Sequence, residues 1–104
     1  MLKQYLRKQN GEKVGLMVAY PDENGKIRIG FSKCWEKYDI FDKGLANHIA
    51  AGRAKKHSDY LPDKYNIPYT MALPLFYFVN RAKRYYKDKV LPQWCYVGAY
   101  RKVI

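Results

Sequence analysis

Lys13-Val14-Gly15-Leu16-Met17-Val18-Ala19-Tyr20 is a largely apolar run held between two Asn-Gly pairs, Asn10-Gly11 before it and Asn24-Gly25 after it. Asn-Gly supplies the positive φ that hairpin turns need, so each pair marks a chain reversal. The run puts Val14, Leu16 and Val18 on one face of a strand and Gly15, Met17 and Ala19 on the other. Upstream, Leu2 to Gln9 forms the partner strand, joined through a type I′ turn at Asn10-Gly11. Downstream, Pro21 to Gly25 turns the chain into Lys26-Ile27-Arg28-Ile29-Gly30-Phe31, where charged and apolar residues alternate. The product is a three-stranded antiparallel meander with Ile27, Ile29 and Phe31 facing inward.

The periodicity changes after Trp35. Asp39 is suited to cap a helix, and Asp42 lies where its charge favours the positive helix end. Phe41, Leu45 and Ile49 recur at helical spacing, with Ala46 and Ala50 on the flank, which predicts a helix from Ile40 to about Lys56. Turn-forming residues fill the connector from His57 to Pro68. A second helix fits Tyr69 to Lys89, since Met71, Leu75, Phe78, Ala82 and Tyr85 form one apolar stripe. Pro74 places the start of its regular part near Leu73, where no internal hydrogen bond is lost. Trp94 to Val103 reads as a last strand. The expected fold is one α+β domain over residues 1–104, ordered β-β-β-α-α-β, with both helices packed on one face of the sheet.

Twenty lysines and arginines stand against nine acids, a formal charge of +11, with eleven tyrosines among them. Such a field attracts polyanions, and aromatic or guanidinium planes stack on bases. The excess is concentrated: residues 79–104 carry seven basic side chains and one acidic one. Arg81, Lys83, Arg84 and Lys87 occupy neighbouring turns of the second helix, and Arg53, Lys55 and Lys56 cluster at the end of the first. Together with Tyr86 as a stacking face, these eight residues are the candidate nucleic-acid contacts, a phosphate-binding surface shared by two helices. Two blander readings stand beside it: a solvated helix face, and tyrosines that fill the core. No glycine-aromatic RNA-binding strand, GXXG loop or zinc-finger spacing is present, so low sequence specificity is expected. A rival reading uses the tyrosines as protein-interface anchors, making the chain an inhibitor or adaptor on an acidic partner.

Other classes find little support. The apolar run Met71 to Val79 is far shorter than the roughly 20 residues of a membrane helix, and the charged N-terminus is unlike a signal peptide, so a cytoplasmic protein is expected. Cys34 and Cys95 match no metal spacing and are expected as reduced, packed thiols. His48 and His57 differ by about half a turn on a helix and do not converge, and Walker A, HExxH and GxSxG motifs are missing. A non-enzymatic protein without metal or cofactor is the expectation.

One segment also carries a resemblance. Ile29-Gly30-Phe31-Ser32-Lys33-Cys34, Asp39, Phe41-Asp42-Lys43, Ile49-Ala50 and Gly52-Arg53-Ala54 resemble small bacteriophage-encoded proteins of uncharacterised function. In these, a Gly-aromatic-Ser-x-Cys turn leads from a strand into a helix. The resemblance implies a phage accessory protein acting inside a bacterium, in the host cytoplasm. The charge then makes nucleic acid its expected target, and the rival reading makes it a host defence or transcription complex. It transfers no catalytic residues.

Overall fold

The computed structural model describes residues 1–33, 41–57 and 69–97. Its elements are β1 (Leu2–Arg7), β2 (Lys13–Pro21), β3 (Ile27–Lys33), α1 (Lys43–His57), α2 (Tyr69–Tyr85) and a short α3 (Trp94–Val97). The strands form one antiparallel sheet in the order β1-β2-β3, so the class is α+β. Leu16 pairs with Tyr5 on one side and Ser32 on the other, which fixes the register across all three strands.

Both turns use the same geometry. Gly11 N–H donates to the Lys8 carbonyl at 2.9 Å and Gly25 N–H to the Asp22 carbonyl at 3.1 Å. Each glycine then takes a positive φ, 90° and 77°. The first turn is therefore centred on Gln9-Asn10, one residue earlier than the expected type I′ turn at Asn10-Gly11. The ladder shifts between Leu6 and Arg7 to absorb the extra residue.

The two helices lie on opposite faces of the sheet, not on one face as the sequence suggested. Leu16 and Val18 pack with Ala46, Ala50 and Ala54 of α1. Met17, Ala19, Ile27, Ile29 and Phe31 pack with Leu75, Phe78, Val79 and Ala82 of α2. The physical reason is in β2, which is buried at every position from Val14 to Ala19. Apolar side chains of both parities require a cover on both sides, and one helix serves each.

On the first face the backbone itself sets the distance. A Cβ at Gly30 would fall on the Ala50 carbonyl oxygen and the Ala54 amide, so only glycine admits α1 this close. The helix answers with the alanine stripe 46-50-54; of the expected Phe41-Leu45-Ile49 stripe, Phe41 packs against that cluster, while Leu45 is 57% exposed. Asp42 caps α1, its Oδ1 accepting the Leu45 N–H at 2.8 Å. The expected cap Asp39 lies outside the described residues. At the other end, Arg28 Nε and Nη2 donate to the Ala54 and Lys55 carbonyls at 3.0 and 2.7 Å, satisfying the helix's last acceptors.

Helix α2 begins at Tyr69, so Pro74 sits inside it and its missing N–H leaves the Thr70 carbonyl without the usual partner. Trp94 and Cys95 of α3 join the same core as Phe78, and residues 94–97 are helical where a strand was expected. The rest of that expected strand, residues 98–104, lies outside the described residues. Among the described residues no helix is long and apolar enough to cross a membrane.

Candidate nucleic-acid interface

The way α2 seats on the sheet decides which of its side chains are presented. Leu75, Phe78, Val79 and Ala82 face the core and are fully buried. The adjacent stripe, Pro74, Tyr77, Arg81 and Arg84, advances by three, four and three residues and so stays on one line of the helix. That line borders a groove of about 700 Å³ whose far wall is β1, the sheet's edge strand. Phe78, Met17 and Leu6 supply apolar lining, and Arg81 and Arg84 supply two cations from α2. Lys3 and Arg7 also border the groove, but along β1 they alternate with Leu2, Gln4 and Leu6 and share the face of Tyr5, which packs towards α1. No carboxylate lines the groove among the described residues.

These cations differ in how firmly they are held. Arg81 Nη1 donates to Gln4 Oε1 at 2.6 Å and to the Lys3 carbonyl at 3.3 Å, which bridges α2 to the strand edge. Its remaining donors have no partner among the described residues. Arg7 Nη1 donates to the Gly11 carbonyl at 2.8 Å and is anchored at the turn. Arg84 is exposed and makes no hydrogen bond or ion pair with the described residues. Lys8–Glu12, at 3.4 Å in the first turn, is the one ion pair among the described residues, and no described acid neutralises the groove. Uncompensated charge beside a low-dielectric wall concentrates the field in the groove and raises the local density of anions.

The structure separates the eight residues singled out from the sequence. Arg81 and Arg84 meet at the groove. Lys83 points to the other flank of α2, its Nζ 5.3 Å from the ring centre of Tyr96. Lys87 is exposed in the turn after α2. Tyr86 is half-buried against the core; its hydroxyl donates to the Ala19 carbonyl at 3.3 Å, and its ring meets Tyr85 edge-on at 4.8 Å. Burial, and then the neighbouring Tyr85, push the Tyr86 hydroxyl above its ordinary pKa, against a smaller opposing effect from the Leu2 backbone. Tyr86 thus ties the end of α2 to β2.

Arg53, Lys55 and Lys56 belong to α1 and lie across the sheet from the groove, so the two helices do not build one basic surface. Arg53 is half-buried and its Nη1 donates to the Phe31 carbonyl at 3.0 Å. Lys55 and Lys56 are exposed. Sequence reasoning missed Lys3, Gln4, Arg7 and Tyr77. The 74-77-81-84 spacing was a readable sign of the helix line, but nothing local connects it to β1.

Among the described residues no group of three His, Cys, Asp or Glu side chains is placed to hold a metal. Cys95 is a free, buried thiol whose pKa burial pushes up to about 12, with Lys83 opposing the shift, and this disfavours the reactive thiolate. His48 is exposed on α1; Cys34 lies outside the described residues. No protein-family model, curated protein or solved structure matches the chain.

Proposed function

We propose that the chain is a small basic protein that binds nucleic acid electrostatically, with low sequence specificity, through the groove between β1 and α2. The observation that carries this reading is the pair of α2 arginines, Arg81 and Arg84, at the groove with no carboxylate among the described lining residues. Guanidinium groups suit phosphate because their planar forks donate paired hydrogen bonds. Arg81 is held in place by Gln4 and, among the described residues, keeps donors to spare, while Arg84 is exposed with no described partner. Phosphate contacts of this kind give affinity and register without reading bases. The resemblance to phage proteins supports a role as a phage accessory factor acting on host or phage nucleic acid.

Binding of a labelled oligonucleotide across a salt series tests the proposal. Affinity should fall steeply with salt, and R81A with R84A should weaken binding on every sequence tried. Each lost phosphate contact should flatten the log–log salt slope by about 0.7 to 0.9. Salt-insensitive retention, or no binding at low salt, contradicts the proposal.

A second reading, an inhibitor or adaptor docking on a host protein complex, is favoured by one observation. The Lys3 carbonyl accepts from Arg81, and among the described residues no strand pairs with the outer edge of β1. An exposed edge can accept an added strand from another chain. Pull-down from bacterial lysate with and without nuclease separates the readings: a stoichiometric protein complex that survives nuclease favours the second.

A further inference from the structure

We infer that the ligand of the β1–α2 groove is a single strand with unpaired bases, and that Tyr77 is the stacking platform; this rests on the nucleic-acid reading above. The case begins with the exposed tyrosines. Three described tyrosines are more than half exposed: Tyr77 at 61%, Tyr85 at 67% and Tyr96 at 55%. Tyr85 stands edge-on to Tyr86. Tyr96 accepts the Leu91 N–H on its hydroxyl at 3.1 Å and carries Lys83 beside its ring. Tyr77 makes no side-chain hydrogen bond among the described residues, and its described ring neighbour is Phe76, tilted at 58°.

Of these three, only Tyr77 borders the groove. It precedes Arg81 by four residues and Arg84 by seven, so a ring and two guanidinium groups follow one another along about 10 Å of helix. Solvent exposure of a large ring is without benefit to the fold, whereas beside two cations it offers a face to a flat partner. In a duplex the base faces are already stacked on each other and closed to a side chain. An unpaired base has both faces free, and stacking on an aromatic ring tolerates any base. The groove thus matches a strand whose phosphates meet Arg81 and Arg84 while a base lies on Tyr77.

The test uses the full chain with a fluorescent oligo(dT), a duplex of equal length, and polyglutamate as a second polyanion, all at one low salt concentration. The single strand should bind more tightly than the duplex. Y77A should lower single-strand affinity at least about fivefold, the lower end for loss of one base stack. Y77F should retain wild-type affinity, because the ring carries the stacking. The side chain is exposed, so unchanged circular dichroism and thermal midpoint are expected for both variants. Duplex binding as tight as single-strand binding, an unaffected Y77A, or polyglutamate held as tightly as oligo(dT) overturns the inference. The first two of these leave the nucleic-acid reading standing. Failure of both oligonucleotides to bind overturns the reading itself.

Discussion

The two faces of the sheet carry helices of similar length yet do opposite things. On the α1 face, alanines at 46, 50 and 54 meet Gly30, and the helix comes down until backbone touches backbone. The arginines there are occupied: Arg28 holds the last carbonyls of α1, and Arg53 holds the Phe31 carbonyl. On the α2 face, Leu75 and Phe78 stand between helix and sheet, and an open groove remains beside β1. Arg84 has no partner among the described residues there, and Arg81 is only partly engaged. Small side chains close one face, large ones leave the other ajar, and charge is available for a ligand only where the face stays open.

The sharpest way to break this contrast is at Gly30. G30V drives a branched side chain into the α1 backbone and should cost about 3 kcal/mol or more in a denaturant titration, at the severe end of overpacking. Wild-type stability would mean that α1 does not lie this close.

The next effect comes from the core under α2. The Cys95 thiol has its pKa raised from 9.0 to about 12 in the folded state, chiefly by burial. The raised group binds its proton in the folded chain and loses it in the unfolded one. Stability from this group is therefore complete below pH 9 and is lost as pH rises towards 12, by about 1.4 kcal/mol per unit. C95A should remove this part of the alkaline slope in pH-dependent unfolding. An unchanged slope would show that the thiol is not buried.

The smallest effects compare two arginines. R28A removes two hydrogen bonds to the end of α1 and should destabilise by about 1 to 2 kcal/mol. R84A should stay within about 0.5 kcal/mol of wild type, as expected for an exposed side chain without a structural role. Equal thermal shifts for the two would erase the distinction between cations engaged in the fold and cations left for a ligand.

Local chemistry made the meander readable. Two Asn-Gly pairs and the alternation of Ile27, Ile29 and Phe31 suffice for three strands, although the first turn moved by one residue. The placement of the helices was not readable in the same way. Leu45 and Ile49 advertise a helical stripe more strongly than three alanines do, and only the close approach at Gly30 makes the alanines the buried face. Opposite-face packing was implicit in Leu16-Met17-Val18-Ala19, where both parities are apolar, but that pattern also fits a strand with one face weakly covered. Half of the candidate site was legible as Arg81 and Arg84. The other half depends on Gln4 and Lys3 meeting a helix more than seventy residues later, and no local spacing encodes that meeting.

The decisive comparison is between two double substitutions that remove equal charge from opposite sides of the sheet. R81A with R84A strips the groove, and K55A with K56A strips the exposed end of α1. Oligonucleotide affinity measured side by side at one low salt concentration should fall at least tenfold for the groove pair and only slightly for the α1 pair. Equal losses would mean that the net charge of +11 binds polyanions from any side, and that the groove is not the site.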